Sequence, residues 1–299
     1  MVASDHGQGR DLAVRALVTG SLGQLGSEFV SLISARDGDV VLGLDRPDID
    51  ITDPESVASA LAVFAPDVVI NCAAWTAVDE AETHEAAALL VNGEGPRVLA
   101  AACASTGAWL VHLSTDYVFS GDATTPYATD ATPAPRSAYG RTKLAGEIAV
   151  QAELPNRHYL VRTAWLYGLG GGNFVKTMLR LERERETASV VNDQFGQPTY
   201  ARDLALQILM LVDARPPAGI FHATNGGATN WYEFTRAIFE QVGADQQRVL
   251  PTDSSTFIRP APRPAYSVLA HECWAEAGLP GMRDWREALS TAFADGLTP

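Results

Sequence analysis

Apolar and polar positions follow two rhythms along the first half of the chain. Short β-branched runs, "VRALVTG", "DVVLGLD", "PDVVINCAA" and "AWLVHLST", are separated by longer Ala-rich stretches with a 3.6-residue period. The runs are apolar at almost every position, the pattern of strands covered on both faces. Helices are expected from about Leu22, after Asp53 and from about His84. The order βαβαβαβ predicts a doubly wound parallel sheet. "SAYGRTKLAGEIAVQ" predicts a further amphipathic helix and "HYLVRTAWLYG" a further strand, so a dinucleotide-binding unit is expected over 13–169.

Past that point the rhythm loosens. "LGGGNF" reads as a glycine hinge, a helix is expected from Phe174 to about Glu184, and "DQFGQPTYARDLALQILMLV" predicts a turn and another helix. Pro-rich "IRPAPRPAY" and a short helix near Trp285 complete the chain. The expected architecture is α/β: a Rossmann-like doubly wound parallel sheet with a smaller α/β substrate-binding domain over 170–299. Strands within about 189–224, "GIFHAT" among them, are candidates to return to the first sheet.

Composition narrows the partners. A net charge of -14 with scattered Lys and Arg repels polyanions, so nucleic acid is not an expected partner. Cys72, Cys103 and Cys273 show no C-x-x-C or metal spacing and read as buried thiols of a reducing compartment. "MVASDHGQGRDLAV" has neither a basic nor a long apolar region, and no run reaches membrane-spanning length. A soluble cytoplasmic protein with a short frayed N-terminal tail is expected.

Gly20, Gly23 and Gly26 in "TGSLGQLG" directly follow a strand and open a helix. Backbone N–H groups and a positive helix end then converge on one spot, which suits a pyrophosphate. The second strand ends in Asp45, nineteen residues after Gly26, where an acid would take ribose hydroxyls; Arg46 beside it would instead meet a 2′-phosphate. The choice between NAD and NADP stays open on these residues. Asp53, before Pro54, is a candidate helix cap.

Tyr139 and Lys143 lie four apart at the start of a helix and so share a face. A lysine there is expected to lower the phenol's pKa and ready Tyr139 as a proton donor. Ser114, Thr115 and Asp116 end a strand at the carboxyl edge of the sheet, where ligands of such folds lie. His112 and His222 lack a second ligand at metal spacing and read as core histidines.

With these motifs in this order, and with "DITD", "VHLSTDYVFSG", "YGRTKLAGE", "NFVKTMLRL", "VVNDQFGQPT" and "RPAYSVL", the chain resembles the extended short-chain dehydrogenase/reductases. Among them it is similar to those that reduce the C4 ketone of dTDP-4-dehydro-6-deoxy-L-mannose to dTDP-L-rhamnose. The resemblance implies Thr115, Tyr139 and Lys143 as the catalytic set, with NADPH as cofactor and NADH open. It implies cofactor contacts at Gly20, Gly23, Gln24, Leu25, Gly26, Asp45, Asp50, Ile51, Ala73, Ala74 and Thr76. Asp116 and Trp165 match sugar-touching positions, and Asn173, Lys176, Gln197 and Arg263 are candidates for the nucleotide and diphosphate, with Arg259 competing.

Some members bind magnesium between subunits through carboxylates. Glu28 matches one of these, but Arg202 stands where another is expected. A cation beside a guanidinium is unfavourable, so no such metal is expected and the chain is read as a monomer or weak homodimer. Dehydratases of the superfamily carry Asp-Glu after the catalytic Thr, whereas Asp116 is followed here by Tyr117. Another nucleotide-sugar short-chain enzyme, an epimerase or a dehydratase, and a non-catalytic regulatory subunit of the same fold are the other readings.

Overall fold

A computed structural model describes residues 13–298. The N-terminal tail expected from the sequence lies outside these residues. Six parallel strands form the central sheet: β1 (Arg15–Thr19), β2 (Val40–Leu44), β3 (Val68–Asn71), β4 (Trp109–Thr115), β5 (His158–Thr163) and β6 (Gly219–His222). They run in the order β6-β5-β4-β3-β1-β2, so consecutive strands diverge on either side of β1 and β3. Such a reversal opens a crevice at the carboxyl edge. Leu17, Val18, Val69, Ile70, Leu110 and Val111 are wholly buried, as strands sandwiched between helices must be.

Helices α1 (Gly26–Ser34), α2 (Pro54–Phe64), α3 (Gly95–Thr106) and α4 (Ala138–Glu153) cover the sheet. The helix expected from about Leu22 starts at Gly26, because the preceding residues are spent on the glycine turn. Asp53 caps α2 by accepting from Glu55 N at 2.9 Å. The helix expected from about His84 is broken instead: Glu85–Leu89 passes into a π-turn at Leu90–Glu94 before α3 begins at Gly95-Pro96. The strand expected through "HYLVRTAWLYG" stops at Thr163, since Trp165 has φ 46°, and Leu166–Tyr167 pairs separately with Thr199–Tyr200.

Residues after 169 divide between two cores. β6 lies parallel to β5, and α6 (Ala201–Ala214) packs Leu204, Ile208 and Leu211 with Val18 and Phe29. Ahead of it α5 (Phe174–Glu184), and after it α7 (Trp231–Gln241) and α8 (Trp285–Ala294), build a second core around Val175, Phe234, Ile238, Trp285 and Leu289. The strand Ala188–Val191, at the start of the range expected to return, pairs with Val249–Thr252 and not with the sheet. Among the described residues no helix is long and apolar enough to cross a membrane.

Candidate active site

A cavity of about 780 Å³ opens at the carboxyl edge of the sheet. Its floor is the glycine loop. Gly20 has φ 65°, and a Cβ there would lie 2.7 Å from Ala73 N; a Cβ on Gly26 would lie 2.1 Å from Gly20 O. Side chains there would collide with the backbone of the loop and of the strand end behind it, so the tight turn requires glycine at both positions. Gly23, Gln24, Leu25, Asp45, Ile51, Ala73, Ala74 and Thr76 all line the cavity, as does Arg46. Asp45 accepts from Leu22 N at 3.0 Å and Arg46 N at 2.8 Å, which ties the end of β2 to the loop.

Asp50 departs from expectation. Its carboxylate accepts from Thr52 N at 2.9 Å and Thr52 Oγ1 at 2.7 Å, closing a local turn away from the cavity lining. Cys72 departs in the other direction: it is half-buried and lines the cavity, whereas Cys103 and Cys273 are buried thiols. Burial pushes the Cys72 thiol up, so it stays protonated.

β4 delivers Ser114 and Thr115 to the edge, and strand alternation sends them to opposite sides. Ser114 Oγ donates to Glu147 Oε1 at 2.5 Å, whereas Thr115 lines the cavity and donates to Asp116 Oδ1 at 3.0 Å. α4 starts from its cap Ser137, which accepts from Gly140 N at 3.1 Å, and brings Tyr139 and Lys143 to the same wall. The helix is not conventionally amphipathic. Its inward face carries Thr142, Lys143 and Glu147 among small residues, and Ile148 faces out.

The expected influence of Lys143 on Tyr139 is not what the structure shows. Burial pushes the Tyr139 phenol up to about 12, against the opposing effect of its hydrogen bond with Thr115. The Lys143 ammonium instead donates to Leu113 O at 2.5 Å, and burial brings it down to about 8 although Glu147 acts the other way. Tyr139 thus keeps its proton at neutral pH. Burial also raises Asp116 to about 6, with hydrogen bonds from Ser267 and Thr115 opposing. Tyr117 meets Tyr139 edge-on, ring centroids 5.7 Å apart.

Glu147 and Arg162, which the sequence reading passed over, sit directly behind this wall. Arg162 grips Glu147 with Nε at 2.9 Å and Nη2 at 2.7 Å, both side chains being almost wholly buried. The signals were present: an arginine inside the apolar run of β5, and a glutamate one turn past Lys143 on the same face. His222 lies against Arg162 and is lowered to about 3 by burial first and by that guanidinium second. His112 shares a 3.0 Å contact with Asn71, and burial keeps it neutral.

On the far side Trp165 lines the cavity with Gly171 and Gly172. The other nucleotide candidates are engaged elsewhere and lie off the lining. Asn173 caps α5 and donates to Gln24 Oε1 at 3.0 Å and Gly168 O at 2.9 Å. Lys176 Nζ donates to Leu169 O at 2.6 Å. Gln197 is buried with both ends of its amide clamped on the backbone of Leu269. Arg263 donates to Asp79 Oδ2 at 3.0 Å, and Arg259 approaches the same oxygen at 4.0 Å but is 61% exposed. Glu28 meets Arg202 at 3.4 Å, and Asp295 lies 4.0 Å from the same guanidinium, so a cation occupies the space between the carboxylates as part of the protein itself.

Parallel sheet, glycine cradle and a Thr-Tyr-Lys wall define an oxidoreductase of the extended short-chain dehydrogenase/reductase class. A family model described as the RmlD substrate binding domain matches residues 14–297. A dTDP-4-dehydrorhamnose reductase from Streptomyces griseus is 53% identical over 283 residues, 93% of each chain. A probable dTDP-4,6-dihydroxy-2-methyloxan-3-one 4-ketoreductase from Streptomyces antibioticus is 51% identical over 286 residues, 95% of this chain and 96% of that one. The crystal structure of dTDP-4-dehydrorhamnose reductase from Bacillus anthracis in complex with NADP superposes with a TM-score of 0.91 at 38% identity, covering 95% of this chain and all of that one. The chain belongs to the dTDP-4-dehydrorhamnose reductase family.

Proposed function

We propose that the protein reduces the C4 ketone of dTDP-4-dehydro-6-deoxy-L-mannose to dTDP-L-rhamnose with NADPH, a step toward cell-surface polysaccharide. The observation that carries this is the continuity of one cavity from the glycine cradle, past Thr115, Tyr139 and Lys143, to Trp165. Cofactor and sugar can meet there only at the catalytic wall.

When bound, NADPH supplies the hydride that goes to C4 of the keto-sugar. Ser21, Leu22 and Gly23 N–H groups bond within the protein, so those that follow, at the start of α1, are the ones to hold its pyrophosphate. Asp45 and Arg46 both line this end of the cavity, and the Arg46 guanidinium is the group that would meet a 2′-phosphate. Tyr139, protonated at neutral pH, gives its hydroxyl proton to the C4 oxygen, and Thr115 turns its hydroxyl from Asp116 to the same oxygen. Lys143 holds the nicotinamide ribose. Asp116 takes a sugar hydroxyl and Trp165 the apolar face of the deoxysugar.

Asn173, Lys176 and Gln197 act in this reading by shaping the walls, and Arg263 reaches a diphosphate only by leaving Asp79. The Arg202 guanidinium on Glu28 disfavours a cation there, and the chain is read as a monomer or weak homodimer on that ground alone. Three unpaired cysteines fit a reducing cytoplasm.

A relative of nearly the same identity is named for a different dTDP-linked ketone, which makes another dTDP-4-keto-sugar the second reading. The decisive assay offers dTDP-4-dehydro-6-deoxy-L-mannose with NADPH or NADH and identifies the product by NMR. Turnover to dTDP-L-rhamnose is expected, faster with NADPH. Turnover only of an alternative dTDP-4-keto-sugar would install the second reading, and no turnover with either cofactor would overturn both.

A further inference from the structure

We propose that Trp231 and Gly196 are positioning residues for Trp165, setting the plane of the cavity wall against which the sugar ring is held. This rests on the reading of Trp165 as the sugar-facing wall. Trp165 follows β5, on the sheet that carries the catalytic residues, yet it has φ 46°, a backbone conformation that bulky side chains rarely adopt. A conformation of that kind persists only where its surroundings over-determine it. Two neighbours do so here.

The first is Trp231, the opening residue of α7. Its indole lies parallel to that of Trp165, with centroids 3.5 Å apart and 11° between planes, and Phe174 of α5 closes on Trp231 at 4.3 Å. The second is Gly196. A Cβ there would stand 2.7 Å from both Cε2 and Cζ2 of Trp165. Gly196 is not among the glycines with positive φ, so its backbone does not require glycine. The indole does.

Trp231 and Gly196 do not line the cavity, whereas Trp165 does. They act on the ligand through Trp165. The stack also joins different parts of the molecule: both indoles pack against the second core, while Thr115 ends β4 and Tyr139 and Lys143 stand on α4. The distance from the sugar's C4 to the Tyr139 hydroxyl is therefore set by a wall hung from the second core. Shifting that wall moves the ketone and leaves the cofactor cradle untouched.

The test compares Trp231→Ala, Trp231→Phe and Gly196→Ala with Trp165→Ala in the full chain, using dTDP-4-dehydro-6-deoxy-L-mannose and NADPH. Trp231→Ala is expected to raise KM for the keto-sugar about tenfold with KM for NADPH within about twofold, because an unsupported Trp165 loses apolar contact with the sugar ring and not with the cofactor. Trp231→Phe should recover most of it. Gly196→Ala should change the keto-sugar KM in the same direction with Trp231 still present. The circular-dichroism couplet of two stacked indoles should vanish in either Trp→Ala variant. A keto-sugar KM unchanged in Trp231→Ala, or one that rises together with that for NADPH, while Trp165→Ala raises it alone, would overturn the positioning role. Should Trp231→Ala not fold, Trp231→Phe and Gly196→Ala decide: wild-type keto-sugar KM in both sinks the proposal. An unchanged keto-sugar KM in Trp165→Ala removes the sugar-wall reading and the proposal with it.

Discussion

At the scale of single residues, burial sets how the groups of the candidate site titrate. Burial pushes the Tyr139 phenol up to about 12, and the Lys143 ammonium, held on Leu113 O, does not counter it. Tyr139→Phe is expected to lower kcat by about 10²-fold or more, with NADPH affinity retained in a fluorescence titration. Asp116 has its folded pKa raised to about 6 from an ordinary 3.8 by burial. The folded state therefore prefers the protonated acid: that contribution to stability is whole below 3.8 and is lost as pH rises through about 6. Urea unfolding should show the wild type losing stability relative to Asp116→Asn between pH 4 and 7, whatever the constant offset between them. A gap that stays level or moves the other way would contradict the assignment.

Among elements, α4 and β5 are joined by a buried charge pair. Arg162 holds both oxygens of Glu147, which also accepts from Ser114, so the network locks the helix that bears Tyr139 and Lys143 against the strand next to Thr115. Breaking one side of such a pair strands a buried charge. Arg162→Met should cost about 3–5 kcal/mol in chemical unfolding, and adding Glu147→Leu should return a large part of it. A double variant no more stable than the single one would show that packing, not charge, sets the cost. The pattern of apolar runs revealed α4 and β5 but not this tie, since charged residues at inward positions look like exceptions until the partner is seen.

For the whole molecule, the cavity is bounded by both cores. Gln24 of the glycine loop is tied to Asn173 at the start of α5, and Gly171 and Gly172 line the cavity just before it. NADPH and dTDP together should slow amide exchange over 168–173 beyond the effect of either alone, by hydrogen-exchange mass spectrometry. Equal protection by NADPH alone would mean that nucleotide does not draw the second core onto the first.

The alternation of apolar runs with 3.6-period helices and the glycine spacing are local properties, so the sequence by itself determined the doubly wound sheet and the glycine turn; the Tyr139/Lys143 interval determined only a shared helix face, and the resemblance nominated the set with Thr115. The breaks at Leu90–Glu94 and Trp165 were hidden because each is a departure from period imposed by packing. Asn173, Lys176, Gln197 and Arg263 could be nominated by residue type, but a side chain's work depends on which partner reaches it first. Tertiary structure alone decided that these four meet Gln24, Leu169, Leu269 and Asp79. It alone decided how far the Tyr139 phenol is pushed up, because desolvation is a property of everything packed around a group and not of its neighbours in the chain.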